Sequence, residues 1–356
     1  MTTRVALCGA GMIAEVHALA CGSAAAKVTK VASRTADRAG NLARRTNAAV
    51  ASWTDVHDDV DVVVVCTPPS HHVAHAIAAL DAGATVLVEK PLARTLAEAD
   101  ALAARVAGGG RLVYAENLLF APAVREFVRR LPRLGTLVHL SARSLQGAPT
   151  WGGFLEPEWG GGALFDLGIH PLALVVVAAR VAGAGEPVAV SAELRGDRTD
   201  TWGRVTIEFD DGSSATVESG WEGPDEGMWE LQAASATGAL RLELRPAIAL
   251  EHDGEPVVLP VAGHPIPLVE DFGYVSQMRH TVEVASDRAP VEVAGDRPPM
   301  EVAGDRPPME MNVDFGRAMM ELVTACYASA RTGERVSLPF GGDRSLSPLE
   351  HWRGKQ

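Results

Sequence analysis

Lys90 is the residue with the most to say about chemistry. The chain holds four lysines against twenty-eight arginines, so arginine is its ordinary cation. Lysine can give and take a proton at accessible pKa, whereas arginine effectively never deprotonates. Lys90 stands in Glu89-Lys90-Pro91, at the end of the apolar run Thr85-Val86-Leu87-Val88, which reads as a buried strand. A second chemical group stands in Gly160-Gly161-Gly162-Ala163-Leu164-Phe165-Asp166-Leu167-Gly168-Ile169-His170-Pro171. Asp166 and His170 are four apart, so a helix projects both from one face. Taken alone, such a pair is more often an ordinary helix contact. Imidazole titrates near neutrality, which suits a general acid or base, and the triple glycine lets the backbone pass close to a ring.

A third set, Gly9-x-Gly11-x-x-Ala14, has the spacing of a dinucleotide fingerprint at the very start of the chain. The first glycine allows the tight turn and the second lets the backbone approach a pyrophosphate. Ala14 permits close helix–sheet packing, and Met12 and Ile13 open the helix that faces the anion. Cofactor choice is read at the end of the second strand, where Ala32-Ser33-Arg34-Thr35 carries no acid before Asp37. A hydroxyl and a guanidinium, with Arg38 as a second cation, suit a 2′-phosphate. NADP(H) is therefore favoured, while Asp37 leaves NAD(H) open.

These groups need a frame. Val5 to Cys8, Val28 to Ser33, Asp61 to Cys66, Thr85 to Val88 and Arg111 to Ala115 read as strands with helices between them. Ser70 is the expected cap of a helix running to Gly83. This βαβα order implies a doubly wound parallel sheet with ligands at the strands' carboxyl ends. Near residue 120 the pattern changes to strands of alternating polarity, such as Val205, Ile207 and Phe209 followed by the Asp211-Gly212 turn. Helices are expected near 163–181, 271–287 and 309–331. The domains expected are 1–120, binding a dinucleotide, and 121–356, binding substrate on an α+β fold with a large, mostly antiparallel open sheet. A sheet that long needs its second face covered, so a homodimer or homotetramer is expected.

Composition is globular, with 47 % hydrophobic and 22 % charged residues. A formal net charge of −13 opposes nucleic acid and anionic membrane as partners. The start of the chain lacks the pattern of a signal peptide, so a cytoplasmic location is expected. Cys8, Cys21, Cys66 and Cys326 show no disulfide or metal-ligand spacing, so no metal is expected. Glu292 to Met300 recurs unchanged as 301–309 and reads as a loop insertion.

Taken in order, the motifs resemble those of the glucose–fructose oxidoreductase / inositol dehydrogenase / rhizopine-catabolism (Gfo/Idh/MocA) family. They are Gly9-x-Gly11-x-x-Ala14, Thr67-Pro68-x-x-x-His72, Glu89-Lys90-Pro91, Ala115-Glu116-Asn117 and Gly160-Gly161-Gly162-x-x-x-Asp166-x-Gly168-x-His170. The resemblance covers nearly the whole chain. It implies an N-terminal Rossmann domain and an oxidoreductase acting on CH–OH groups. Lys90, Asp166 and His170 would be catalytic, with a cis peptide before Pro91 helping to aim Lys90. Thr67, Pro68, His72 and Glu89 would lie by the cofactor, and Glu116 and Asn117 by a sugar-like or cyclitol substrate. Independently of the resemblance, Trp151 flanks a Gly/Pro-rich loop that could wall the substrate, though such a tryptophan is more often a packing residue. The family often has Asp where Ala173 stands, an aromatic and an arginine at Leu118 and Leu119, and Asn at Pro69. Those changes imply a substrate with fewer hydroxyls than inositol, such as a deoxysugar, an aminocyclitol or a cyclic imine. Imine reduction, or a net non-redox step through transient oxidation, is the alternative chemistry. A nucleotide-binding sensor or scaffold is the non-enzymatic alternative, although such a protein should have lost Lys90, Asp166 or His170.

Overall fold

A computed structural model describes residues 2–150, 152–260, 264–286 and 307–354, so Trp151 and nearly all of the duplication lie outside the described residues. The chain divides into two compact units. One comprises Met1–Ala93, Glu98–Ala121 and Ala262–Arg317; the other comprises Arg94–Ala97, Pro122–Val261 and Ala318–Gln356. Where the sequence suggests one boundary near 120, the first unit thus also takes a segment from late in the chain.

The first unit contains β1 (Thr3–Cys8), β2 (Ala26–Ala32), β3 (Ala49–Val50), β4 (Val62–Val65), β5 (Thr85–Glu89) and β6 (Leu112–Ala115). They form an all-parallel sheet in the order β3-β2-β1-β4-β5-β6. The order reverses between β1 and β4, which is where doubly wound sheets bind ligands beyond the strands' carboxyl ends. Val62 to Val65 are completely buried, as a run without alternation requires of a strand covered on both faces. The intervening helices are α1 (Met12–Gly22), α2 (Ala36–Thr46), α3 (His72–Asp81) and α4 (Leu96–Ala107). Ser70 does not cap α3. It lies exposed within a 3-10 turn, Pro69–His71, and the α-helix starts only at His72. The residue in the N-cap position of α3 is His71.

The second unit begins with α5 (Pro122–Arg130), β7 (Leu137–Leu145), α6 (Ala163–Asp166) and α7 (Ile169–Val181). It continues through β8 (Pro187–Arg195), β9 (Trp202–Phe209), β10 (Ser214–Gly220), β11 (Met228–Ser235), β12 (Ala239–Arg245), β13 (Ala249–His252) and β14 (Glu255–Pro256). The later elements of the chain are α8 (Pro267–Asp271), α9 (Tyr274–Ser286), α10 (Val313–Thr332), β15 (Val336–Ser337) and α11 (Pro348–Arg353). Nine strands form one open sheet, β14-β13-β12-β11-β7-β10-β9-β8-β15, antiparallel throughout except between β7 and β10. One face packs under α7, a helix buried on every side from Ile169 to Ala179. The other face is charged: Arg143 and Arg241 pair with Glu230 at 3.1 and 2.8 Å, and Arg204 pairs with Glu218 at 3.5 Å.

Two expected helices are broken. The 163–181 helix splits at Leu167–Gly168 because Pro171 lacks the N–H that would bond back to Leu167, whose carbonyl instead accepts from His170 at 3.3 Å. The 271–287 helix becomes α8 and α9, split at Gly273, whose φ is +84°. A Cβ there would sit 2.2 Å from the Asn117 carbonyl, so only glycine makes that corner. The second piece, α9, packs on α1, β4 and β5. No single helix among the described residues is long and apolar enough to cross a membrane.

Candidate cofactor and active site

The fingerprint turn separates its two glycines by role. Gly9 has φ +123°, and an added Cβ would meet the Cys66 carbonyl oxygen at 2.6 Å, so protein backbone alone demands glycine here. Gly11 precedes α1 in extended conformation, and a Cβ built on it meets nothing within 4 Å. The fold does not need Gly11; a ligand on the N–H groups of the α1 N-terminus would. Ala14 is completely buried against the sheet, Met12 is exposed and Ile13 half-buried. These residues fit a pyrophosphate cradle. Gly9→Ala should therefore unfold the first unit readily, through about 1–3 kcal/mol of backbone strain plus a clash. Gly11→Ala should melt within about 1 °C of wild type yet bind dinucleotide at least tenfold more weakly. Thermal melts beside cofactor titrations check both.

The Gly9 N–H donates to the Ala32 carbonyl at 2.8 Å, which fixes the end of β2 beside the turn. Ser33 follows, half-buried, its Oγ accepting from the Thr35 N–H at 3.2 Å. Arg34 and Arg38 are exposed, and Asp37 sits exposed in the first turn of α2. The strand end thus carries a hydroxyl and a guanidinium, with its first carboxylate already on the following helix.

Around Lys90 the first unit is held from several directions. Glu89 is buried, with its carboxylate 2.7 Å from His17 Nε2 and accepting from the Lys90 backbone N–H at 3.1 Å. Burial pushes the Glu89 carboxyl pKa up, but the His17 hydrogen bond and the charges of His17, Lys90 and His72 outweigh it and hold the pKa below the usual range. The Lys90–Pro91 peptide is cis, as the resemblance implied. His72 bridges the loops on either side: Nδ1 lies 2.8 Å from the Pro91 carbonyl and Nε2 2.7 Å from that of Thr67. Burial pushes its pKa down against those two carbonyls. Thr67 and Pro68 are half-buried at the end of β4. Glu116 and Asn117 are buried after β6, and Asn117 Nδ2 donates to the Phe272 carbonyl at 2.8 Å, bracing the α8–α9 corner.

In the second unit Asp166 ends α6 half-buried, and His170 is buried in the first turn of α7, its ring 6.1 Å from that of Trp229. The pair spans the helix break described above. Ala173 is completely buried, as in the first unit are Leu118 and Leu119.

What holds the glycine-rich segment is a buried clamp that sequence reasoning missed. Asp200 Oδ1 accepts from the Gly162 N–H at 2.8 Å and from the Tyr327 hydroxyl at 2.5 Å, while Oδ2 accepts from the Leu164 N–H at 2.7 Å. A Cβ on Gly162 would fall 2.1 Å from the Asp200 carbonyl oxygen, which explains one of the three glycines. Burial pushes the Asp200 carboxyl pKa up, against the hydrogen bonds from Tyr327 and the two backbone amides. His17 was missed too, although it left a signal. It is the polar residue in the stripe Ala14, His17, Cys21 on the buried face of α1, which calls for a buried partner.

Comparison with known proteins agrees with this geometry. Residues 3–116 match the GFO_IDH_MocA model, an oxidoreductase family with an NAD-binding Rossmann fold, and residues 124–240 match the GFO/IDH/MocA C-terminal domain. The chain is 29% identical over 198 residues to scyllo-inositol 2-dehydrogenase (NADP(+)) IolU of Bacillus subtilis, covering 52% of this chain and 59% of that protein. It is 35% identical over 183 residues to D-glucoside 3-dehydrogenase of Escherichia coli, covering 48% and 52%. The chain thus spans little more than half the length of these two relatives. Among solved structures it is similar to GenD2 from gentamicin A biosynthesis in complex with NAD, at TM-score 0.76 and 26% identity, covering 94% of this chain and 96% of that one. With both family domains matched and the fold shared, the chain belongs to the Gfo/Idh/MocA family of oxidoreductases with an NAD-binding Rossmann fold.

Proposed function

We propose that the chain transfers a hydride between NADP(H) and a sugar-like or cyclitol carbonyl/alcohol pair, with His170 and Lys90 handling the proton. The observation that carries this reading is the fingerprint turn, where Gly11 leaves open space that only a ligand would need and the β2 end beside it presents Ser33 and Arg34. Gly9, Gly11, Met12 and Ile13 would cradle the pyrophosphate, Ser33, Arg34 and Arg38 would take the 2′-phosphate, and Thr67, Pro68, His72 and Glu89 would border the nicotinamide end. When bound, the nicotinamide supplies or accepts the hydride. His170 takes the proton from the substrate hydroxyl during oxidation and returns it during reduction. Lys90 donates a hydrogen bond to the same oxygen and stabilises the charge that develops there. Asp166 binds a neighbouring hydroxyl or orients the histidine, and Glu116 and Asn117 help to shape the substrate subsite.

The relatives named for scyllo-inositol and D-glucoside support a ring bearing vicinal hydroxyls as the substrate class. The charged face of the nine-stranded sheet, with its ladder of arginines and glutamates, would serve self-association as a homodimer or homotetramer. Cofactor preference offers a direct test. Arg34→Ala should weaken NADP+ roughly ten- to hundredfold, the value of a lost charge-assisted hydrogen bond, and leave NAD+ nearly unchanged. Calorimetric titration of both nucleotides decides it; equal losses for the two would remove the 2′-phosphate assignment.

A further inference from the structure

We propose that Cys8, His57 and His75 of the first unit form a three-ligand site for zinc or a similar divalent cation. The cysteine sulfur and one nitrogen from each histidine lie within 4.8 Å of one another. Cys8 Sγ and His57 Nε2 are 3.8 Å apart, and both residues are buried. The three ligands come from separate segments: the end of β1, the loop between β3 and β4, and the first turn of α3. Sequence spacing gave no hint of the site for that reason. His75 is held in place by Trp53, stacked on its ring at 4.5 Å and 27°.

The donor set decides the class of ion. One thiolate and two imidazoles suit zinc and related borderline cations and suit magnesium or calcium poorly. Tetrahedral zinc with ordinary bond lengths would place sulfur and nitrogen about 3.6 Å apart and the two nitrogens about 3.3 Å apart. Donors already within 4.8 Å need to close by at most about 1.5 Å, a matter of side-chain rotation. A thiol–imidazole contact of 3.8 Å is only a weak hydrogen bond, and packing does not require a third donor to converge on it. His75 is half-buried, and a water would complete the tetrahedron as the fourth ligand. On binding, the Cys8 thiol loses its proton to solvent and the sulfur bonds the cation, with no change of oxidation state. Cys8 immediately precedes Gly9, so a bound cation would tie the root of the fingerprint turn to α3.

The test is a cobalt(II) titration of the full chain after chelator treatment, followed by zinc competition. One equivalent should bind with a thiolate-to-cobalt charge-transfer band and the visible bands of a tetrahedral ion, and zinc should displace it. Cys8→Ser should abolish the charge-transfer band, and His57→Gln and His75→Gln should each weaken binding more than tenfold. Zinc should raise the melting temperature of wild type and not that of Cys8→Ser or His75→Gln. His75 is half-buried, so its variant keeps the test valid even where Cys8→Ser folds poorly. Cobalt taken up without a thiolate band, or bound equally well by the His75→Gln protein, would overturn the site.

Discussion

His170→Ala and Lys90→Ala should each lower kcat by about 10²–10⁴-fold, the range expected when a positioned acid–base group or an oxyanion donor is removed. The His170 variant should still bind NADP(H) like wild type, because the fingerprint turn and the β2 end belong to the other unit. Lys90 stands beside Glu89, a proposed neighbour of the cofactor, so its variant can also weaken the nucleotide modestly. The comparison that separates chemistry from binding is a cofactor titration run beside steady-state turnover. A histidine that only packs against Trp229 would show a stability loss with kcat nearly intact.

The second large effect is expected at Asp200, which never touches the reaction. Asp200→Ala removes the acceptor shared by the Gly162 and Leu164 amides and the Tyr327 hydroxyl. Leaving buried donors unsatisfied costs about 1–3 kcal/mol each, a large part of a typical total stability of about 5–15 kcal/mol. The melting temperature should fall by roughly 10 °C or more. Tyr327→Phe removes one of those donors but also an acceptor, since the Tyr327 hydroxyl receives the Gly162 N–H at 3.1 Å and the Phe165 N–H at 3.2 Å. It should cost about 1–3 kcal/mol, still less than Asp200→Ala. Both changes should lower kcat more than they raise KM, since the clamp fixes the segment that carries Asp166 and His170. Should Asp200→Ala melt within about 2 °C of wild type, the clamp would not be what holds the glycine-rich segment.

What the sequence could and could not tell follows from the range of the interactions involved. The first unit was legible because its signals are local. Val62 to Val65 show no alternation, and Gly9 and Gly11 sit directly after a strand. The antiparallel part was legible from Val205, Ile207 and Phe209 on one side of Asp211-Gly212 and Ala215 and Val217 on the other. Resemblance to a family added only the expectation that Lys90 acts with Asp166 and His170, which no periodicity could supply. The Asp200 clamp was invisible because its partners lie 36, 38 and 127 residues away, and a single aspartate in a loop has no pattern. The break before α7 was readable in principle, since Pro171 cannot donate the bond that a continuous helix needs. The return of α9 to the first sheet depends on docking between segments far apart in the chain, which local propensity does not encode.

In the proposed reaction an imidazole and an amine share the proton chemistry of an NADP-dependent hydride transfer. The most direct measurement is single-turnover reduction of NADP+ by scyllo-inositol and a methyl glucoside, in wild type, each alanine variant and the double variant. Each single change should slow the hydride step by at least about 100-fold. The double variant should be little slower than the worse single, because the two groups serve one step. Both single variants reacting within about threefold of wild type, a barrier change below roughly 1 kcal/mol, would contradict that role for the two groups.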